Sequence, residues 1–295
     1  MKKILAAMLA GLTAAMMMAG CGSASTSASS TASDTASGAA SAEAANRLEK
    51  IKEKGVIVLA TSPDFAPQEF EDISSGETKY VGCDIDLANY IADYLGVELE
   101  IQAMDFQACQ AAVSTGKADF SISGYAYKPE RAENYEITEF FNVDRDQDDG
   151  QLVIVPEGTE SDYSSPEAFA GKTIGCQNGS LQFSLTEEQL PDAEIKLIAT
   201  LGDGILMVQN GKIDGLACSG SQAKIYVEKN PDLAIADWAF TYSSVGNIAL
   251  CMKGETELVA EINKAIAEVN EQGLYQQWMA DATELAKSLG IEVDE

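Results

Sequence analysis

The chain has 295 residues, of which 46% are hydrophobic, so it is long enough to form two lobes with separate cores. Its formal net charge of −28 argues against nucleic acid and anionic lipid surfaces as partners, because both would be repelled. Histidine is absent, which removes the commonest general base and metal ligand near neutral pH.

The amino-terminal segment has the order of an export signal: two lysines, a short apolar run, and small residues before Cys21. This cysteine resembles the lipidated residue of the bacterial lipoprotein lipobox. Residues 1–20 are therefore predicted to be a signal peptide and residues 21–46, rich in Ser, Ala and Thr, a flexible tether. The alternatives are an ordinary signal peptide and a single membrane span, but a span needs ~20 apolar residues and this run is shorter.

The five remaining cysteines are widely spaced and form no Cys-x-x-Cys pair, so the sequence shows no zinc site and no disulfide framework. Each stands among apolar residues or at the end of a predicted strand, which predicts small buried side chains. These residues are Cys83, Cys109, Cys176, Cys218 and Cys251.

Beyond the tether, strand-like and helical patterns alternate along the chain. The first predicted elements are a helix at 47–51, a strand at 56–61, a helix at 85–95, a strand at 97–103, a helix at 109–113 and a strand at 118–123. Next come strands at 151–155 and 172–176, a helix after 180, a strand at 195–199, a helix at 205–208 and a strand at 213–218. A strand at 247–252 and helices at 258–269 and 274–289 complete the series. This alternation predicts two α/β lobes with largely parallel sheets.

Four segments have a recognisable order and spacing. They are Val58 to Phe70, Tyr80 to Ala88, Met104 to Arg131 (with Lys-Pro-Glu-Arg at its end), and Gly175 to Gly215. Together they resemble the family-3 extracellular solute-binding proteins of polar amino acid ABC transporters. The resemblance implies a type II periplasmic-binding-protein fold, in which two lobes joined by two hinge strands close over a ligand. It places lobe one at 47–142 and 247–295, lobe two at 143–246, and the crossings near 142–150 and 241–246.

The resemblance also implies a ligand site around Arg131, which matches the arginine that grips the ligand's carboxylate in the family. A planar guanidinium can donate two parallel hydrogen bonds to a carboxylate. The alternative for this residue is a surface ion pair with Glu130 or Glu133.

Other residues matching the family's binding positions also have ordinary structural interpretations. Ser180 begins a predicted helix, where it would contact an anion, cap the helix, or do both. Phe65 and Phe106 match positions that sandwich the ligand's side chain, and both would also suit a core. The remaining residues predicted to bind ligand are Ser62, Gly124, Tyr125, Ala126, Leu181, Gln182 and Ser219.

Three positions depart from the family pattern. Ser219 and Ser62 stand where members usually place acids, and Ala126 stands where they place a hydroxyl. The ligand is therefore predicted to be a carboxylate that lacks an ordinary α-ammonium or directs it towards Asp64 or Glu69. A standard amino acid held through backbone carbonyls and water is the alternative.

The implied function is that of an extracytoplasmic binding component of an ABC importer, anchored to the membrane by a lipid on Cys21. It would act as a monomer without a cofactor or metal and would deliver a small carboxylate or amino acid to a permease and its ATPase. A dehydratase on the same fold is one alternative, but the sequence offers no histidine and no nucleophile–base pair. A ligand-sensing receptor is the other.

Overall fold

The computed structural model describes residues 46–143, 150–242, 245–291 and 293. The predicted signal peptide, Cys21 and nearly all of the predicted tether lie outside these residues. Within the described ranges, no helix is long and apolar enough to cross a membrane.

The described chain alternates between short strands and helices. The strands up to residue 137 are β1 (Val56–Thr61), β2 (Asp64–Phe65), β3 (Glu69–Asp72), β4 (Lys79–Val81), β5 (Glu98–Ala103), β6 (Phe120–Ser121) and β7 (Tyr135–Ile137). The later strands are β8 (Gln151–Pro156), β9 (Thr173–Gln177), β10 (Glu194–Ile198), β11 (Gly215–Ser219), β12 (Leu233–Ile235) and β13 (Leu250–Met252). The helices are α1 (Arg47–Lys54), α2 (Cys83–Leu95), α3 (Phe106–Ser114), α4 (Pro129–Asn134), α5 (Leu181–Gln189), α6 (Leu201–Gln209), α7 (Gly220–Lys229), α8 (Thr256–Gln272) and α9 (Leu274–Ser288).

Two five-stranded sheets form the centres of two lobes, in the orders β5-β1-β6-β13-β7 and β10-β9-β11-β8-β12. In each sheet four of the five strands point the same way, and only β13 or β8 is antiparallel to its neighbours. Each reversed strand is the first after the chain passes from one sheet to the other. The prediction of two α/β lobes with largely parallel strands is confirmed.

Lobe one is the lobe whose sheet takes strands from 56–137 and 250–252. Lobe two is the lobe whose sheet lies within 151–235. Where the chain passes between them, Asn247 pairs with Phe141 in an isolated antiparallel bridge. The predicted crossings near 142–150 and 241–246 stay predictions, because residues 144–149 and 243–244 lie outside the described ranges.

The core of lobe one lies between its sheet and two amphipathic helices. The apolar positions that predicted these helices are all buried: Ile85, Ala88, Ile91, Ala92 and Leu95 in α2, and Leu258, Ile262, Ala265, Ile266 and Val269 in α8. Each fully buried Leu or Ile contributes about 1.5–3 kcal/mol relative to an exposed one. The five cysteines of the described chain are also buried and free, as predicted.

Several elements differ from the predictions. The strand expected at 118–123 is only Phe120–Ser121, and the backbone bends on both sides of it, with Gly124 at a φ of +56°. The strand expected at 247–252 is regular only over Leu250–Met252. The small sheet β2-β3-β4, strands β7 and β12 and helices α4 and α7 were not predicted. All five of these strands have two to four residues, too few for an alternating pattern to be visible.

Helix α2 begins at a position that only glycine suits. Gly82 has a φ of +123°, and a Cβ there would lie 2.2 Å from the carbonyl oxygen of Gln68. The same carbonyl accepts a 2.9 Å hydrogen bond from the backbone N–H of Asp84. The close approach therefore fixes the first turn of α2 against the segment that leads into β3.

Replacing Gly82 with alanine should destabilise the protein by about 3 kcal/mol or more, because backbone strain and a backbone clash add together. Gly76→Ala is the matched control, since Gly76 also has a positive φ (+84°) but a Cβ there would meet nothing within 4 Å. The control should cost about 1 kcal/mol. Urea denaturation of both variants measures the difference, and equal losses would show that the close approach is unimportant.

Candidate functional site

A narrow cavity of about 50 Å³ lies between the two lobes, with room for a few water molecules. Its lobe-one lining consists of Asp64, Phe65, Glu69, Phe106, Ser123, Gly124, Ala126 and Arg131. Its lobe-two lining consists of Gln151, Gln177, Ser180, Leu181, Gln182 and Ser219. Hydrogen bonds from Arg131 to the Gly179 carbonyl and from the Leu201 N–H to Asp64 show that the lobes touch at this cavity.

Arg131 lies in α4, whose first residue is a proline with backbone geometry suited to a helix start. Its side chain is only 3% exposed, so the alternative of a surface ion pair with Glu130 or Glu133 is wrong. The guanidinium donates one hydrogen bond to the carbonyl of Ala126, and another, of 2.7 Å, to the carbonyl of Gly179 in lobe two. Nε is buried and has no hydrogen-bond partner among the described residues.

Two aromatic rings lie beside this guanidinium. Its central carbon is 5.0 Å from the ring centroid of Tyr125 and 6.0 Å from that of Phe106, which are cation–π distances. Burial lowers the pKa of Arg131 to about 10, so the group stays charged at neutral pH. A charged donor with an unsatisfied N–H, walled by rings, is suited to a carboxylate oxygen.

The opposite wall begins at the amino terminus of α5. The hydroxyl of Ser180 accepts a 3.0 Å hydrogen bond from the backbone N–H of Phe183. Ser180 therefore caps α5, which is one of the two roles that the sequence suggested for it. The residue is 3% exposed and also lines the cavity, so capping leaves it in place to contact a ligand. Ser219 caps α7 in the same manner, through a 3.4 Å hydrogen bond from the N–H of Gln222.

Asp64 links the lobes at the acidic end of the cavity. Its Oδ2 accepts a 3.1 Å hydrogen bond from the N–H of Leu201, the first residue of α6, and a 3.5 Å one from the amide of Gln177. Its Oδ1 accepts a 2.8 Å hydrogen bond from the hydroxyl of Ser62. Burial raises the pKa of Asp64 in spite of these hydrogen bonds. A carboxylate at a helix amino terminus is favourably placed against the helix dipole.

Glu69 is the most deeply buried acid of the cavity wall, at 1% exposure. Its Oε1 accepts a 2.8 Å hydrogen bond from Ser123, whereas Oε2 has no hydrogen-bond partner within the described part of the chain. Burial, and then the negative charge of Asp84, raise the pKa of Glu69 well above its ordinary value. Glu69 can therefore hold a proton under conditions where an exposed glutamate is ionised.

The charges of the cavity are arranged by lobe. All three ionisable side chains that line it, Asp64, Glu69 and Arg131, belong to lobe one, while lobe two lines it with amides, hydroxyls and a leucine. The arrangement can hold a small molecule that carries an acid group and a hydrogen-bond donor or cation. No group of three or more metal-ligating side chains occurs within the described ranges.

Nine of the eleven residues predicted to bind ligand line this cavity, and Ser62 and Tyr125 do not. Ser62 is 2% exposed and its hydroxyl is used by Asp64. Tyr125 is fully buried, with its hydroxyl 2.9 Å from that of Ser121. Whether the nine contact a ligand stays a prediction.

Three further lining residues were missed, and each lies at or directly beside the end of a predicted strand. Ser123 lies just beyond β6, Gln177 ends β9 and Gln151 begins β8. Strand ends at one edge of a sheet are where α/β folds hold ligands, so strand position was a signal that could have found them.

The raised pKa of Glu69 predicts a pH-dependent stability. The folded protein keeps this proton at pH values where the unfolded glutamate, with an ordinary pKa of 4.5, has lost it. Stability is therefore fully present below about pH 4.5 and declines as pH rises through the folded-state pKa. Glu69→Gln imitates the protonated acid, so it should match the wild type near pH 4.5 and exceed its Tm by at least about 2 °C at pH 8.

Thermal unfolding at the two pH values, without added ligand, measures this effect. Glu71→Gln is the control, because Glu71 lies on the same strand and is exposed. A Tm difference for Glu69→Gln that is the same at both pH values would contradict the assignment of a retained proton.

Comparison with known proteins finds a matching family and relatives whose names agree with it. Residues 57–281 match the family described as bacterial extracellular solute-binding proteins, family 3. The arginine-binding extracellular protein ArtP of Bacillus subtilis is 26% identical over 222 residues, which cover 75% of this chain and 83% of ArtP. The L-cystine-binding protein TcyJ of Escherichia coli (strain K12) is 24% identical over 245 residues, covering 80% of this chain and 87% of TcyJ.

Solved structures agree with these relatives. The amino acid ABC transporter substrate-binding protein AbpA of Streptococcus pneumoniae, bound to L-arginine, is 33% identical and superimposes with a TM-score of 0.72. The match covers 83% of this chain and 99% of that one. The arginine-bound form of truncated ArgBP from T. maritima is 28% identical, with a TM-score of 0.64, and the match covers 75% of this chain and 99% of that one.

Proposed function

Because the chain belongs to the bacterial extracellular solute-binding proteins of family 3, we propose that it captures an amino acid or a related small carboxylate between its lobes and delivers it to an ABC permease. The family's members are solute-binding components of transporters rather than enzymes, so the dehydratase alternative has no support. The same relatives favour transport over the sensory alternative.

Arg131 carries the proposal. A guanidinium that is 3% exposed and has an unpartnered Nε–H lines the cleft, and its described hydrogen bonds go only to neutral carbonyl groups. A buried charge without a counter-ion is destabilising, and a ligand's carboxylate would supply that counter-ion. The carboxylate therefore binds at Arg131, beside Ser180 and the start of α5.

The acidic end of the cleft defines the other half of the ligand. Ser219 offers the cleft a hydroxyl that is already engaged with α7, whereas Asp64 and Glu69 offer carboxyl oxygens. An ammonium or guanidinium on the ligand therefore faces these two acids. The description of ArtP as arginine-binding, and the L-arginine in the AbpA structure, support a ligand of this kind.

The proposal includes the location of the protein. Lipid attached to Cys21 holds the chain at the outer surface of the membrane, residues 22–46 act as a spacer, and the folded part works as a monomer that presents its closed form to the permease. The extracellular family and the lipobox-like sequence around Cys21 support this arrangement.

Ligand binding should depend on the guanidinium of Arg131. Arg131→Met should weaken binding of L-arginine at least about 100-fold, because the carboxylate loses both the charge-assisted hydrogen bond from Nε and the buried positive charge beside it. Agmatine, which is L-arginine without the carboxylate, should bind neither protein tightly. Calorimetric titration gives the affinities, and a thermal-shift screen of other amino acids and their deaminated analogues identifies better ligands, since a ligand of the native state raises Tm.

Lys196→Met is the control for net charge, because Lys196 is exposed on β10 and lies outside the cleft lining. The control should bind as the wild type does. The assignment of Arg131 is wrong if Arg131→Met retains the affinity of the control, or if agmatine binds as tightly as L-arginine.

The anchor has a separate test. Cys21→Ala should remove incorporation of radiolabelled fatty acid and move the protein from the membrane fraction to the soluble extracytoplasmic fraction. Ser23→Ala, two residues away, should change neither result. A membrane-bound, unlabelled Cys21→Ala protein would contradict lipid anchoring at this residue.

A further inference from the structure

Lys128 makes an unusual contact between the lobes. It directly precedes α4 in lobe one and is 9% exposed. Its ammonium donates to the carbonyl of Gly179 at 3.2 Å, the carbonyl of Ser180 at 3.1 Å and the hydroxyl of Ser184 at 3.0 Å, all in lobe two. An ammonium has three N–H donors, so lobe two satisfies all of them.

The contact lies next to the ligand cavity without being part of it. Ser180 and the following two residues line the cavity, but Lys128 does not. The ammonium therefore binds the backbone carbonyls of Gly179 and Ser180, directly before the α5 residues that line the cleft. Arg131 donates to the same Gly179 carbonyl at 2.7 Å. Unlike Lys128, however, Arg131 also lines the cavity, so it both links the lobes and faces the ligand site.

The charges around Lys128 leave it protonated under ordinary conditions. Burial, followed by the positive charge of Arg131, lowers the pKa of Lys128 to about 8, while Glu130 and Glu187 act in the opposite direction. At pH 7 most molecules therefore carry the ammonium and its three donors. Hydrogen bonds from a charged donor are stronger than neutral ones, so the three acceptors offset part of the cost of burying the charge.

We propose that Lys128 is a positioning residue that holds the cleft closed and thereby slows ligand release, without touching the ligand. The three acceptors move away with lobe two when the cleft opens, so these bonds exist only in the closed form. An interaction that belongs to one of two states shifts the population towards that state by its differential free energy. The effect on ligand release rests on the proposed function, whereas the effect on closure does not.

A double-mutant cycle tests the proposal on the ligand-free protein at pH 7. Single-molecule energy transfer between dyes on unnatural residues at exposed Glu77 in lobe one and exposed Glu157 in lobe two measures the closed-to-open ratio. Lys128→Met, which keeps the chain length without donors, should lower this ratio about tenfold, and Ser184→Ala about threefold. The double variant should equal Lys128→Met, because Ser184 then has no donor to lose.

Lys196→Met, which removes a lysine charge on the exposed face of lobe two, should leave the ratio unchanged. A ratio for Lys128→Met equal to or above that of the wild type would overturn the proposal. So would additive effects of Lys128→Met and Ser184→Ala, because additivity would mean that the two side chains do not interact across the cleft.

Stopped-flow binding of L-arginine gives a second readout. Lys128→Met should raise koff about tenfold and leave kon within about twofold, since closure follows encounter. A fall in kon with unchanged koff would contradict the assigned role. If L-arginine fails to bind the wild type, the proposed ligand is wrong, and the ligand-free ratios still decide whether Lys128 holds the cleft closed.

Discussion

The cleft depends on ionisable groups that lobe one must bury whenever lobe two closes over them. Arg131, Asp64 and Glu69 all belong to lobe one, and the facing wall is neutral. Removing such groups from water is costly unless each finds partners. Lobe two supplies some of these partners through its backbone: the Gly179 carbonyl for Arg131 and the Leu201 N–H for Asp64. Among the described residues Nε of Arg131 keeps no hydrogen-bond partner, and it is the atom that a ligand's carboxylate would satisfy.

The fold delivers these groups to one place through the direction of its strands. In lobe one the cavity residues follow the carboxyl ends of β1, β5 and β6, and in lobe two those of β9 and β11. Gln151 begins β8, which runs antiparallel to β11. The amino end of β8 therefore lies at the same edge of the sheet as the carboxyl end of β11. Carboxyl ends of parallel strands leave unfilled crevices where the connections diverge. The site is therefore a consequence of topology, and side chains only give it chemical character.

The sequence predicted what is local and periodic. Helices α2 and α8 follow from their buried apolar positions, and nine cavity residues follow from a resemblance that places them after strands. It could not predict contacts between residues that are far apart in the sequence. Asp64 and Leu201 are 137 positions apart, and Lys128 and Ser180 are 52 apart. For the same reason, the sequence could not decide whether Arg131 is buried. A charged residue beside Glu130 is expected to be exposed, and only the contact with lobe two buries it.

The strongly negative chain and its cationic binding group are compatible because the two act over different distances. At physiological ionic strength the Debye length is about 8 Å, so the many surface acids influence an approaching ligand weakly from afar. Within the cleft the dielectric is lower and Arg131 is adjacent, so its attraction for a carboxylate is less screened. The acids nonetheless bias selection, because a multiply charged anion would meet the carboxyl group of Asp64 inside the cleft and the negative charge of the surface outside it. A ligand carrying one carboxylate and a positive group satisfies both ends of the cleft and is not repelled by the surface.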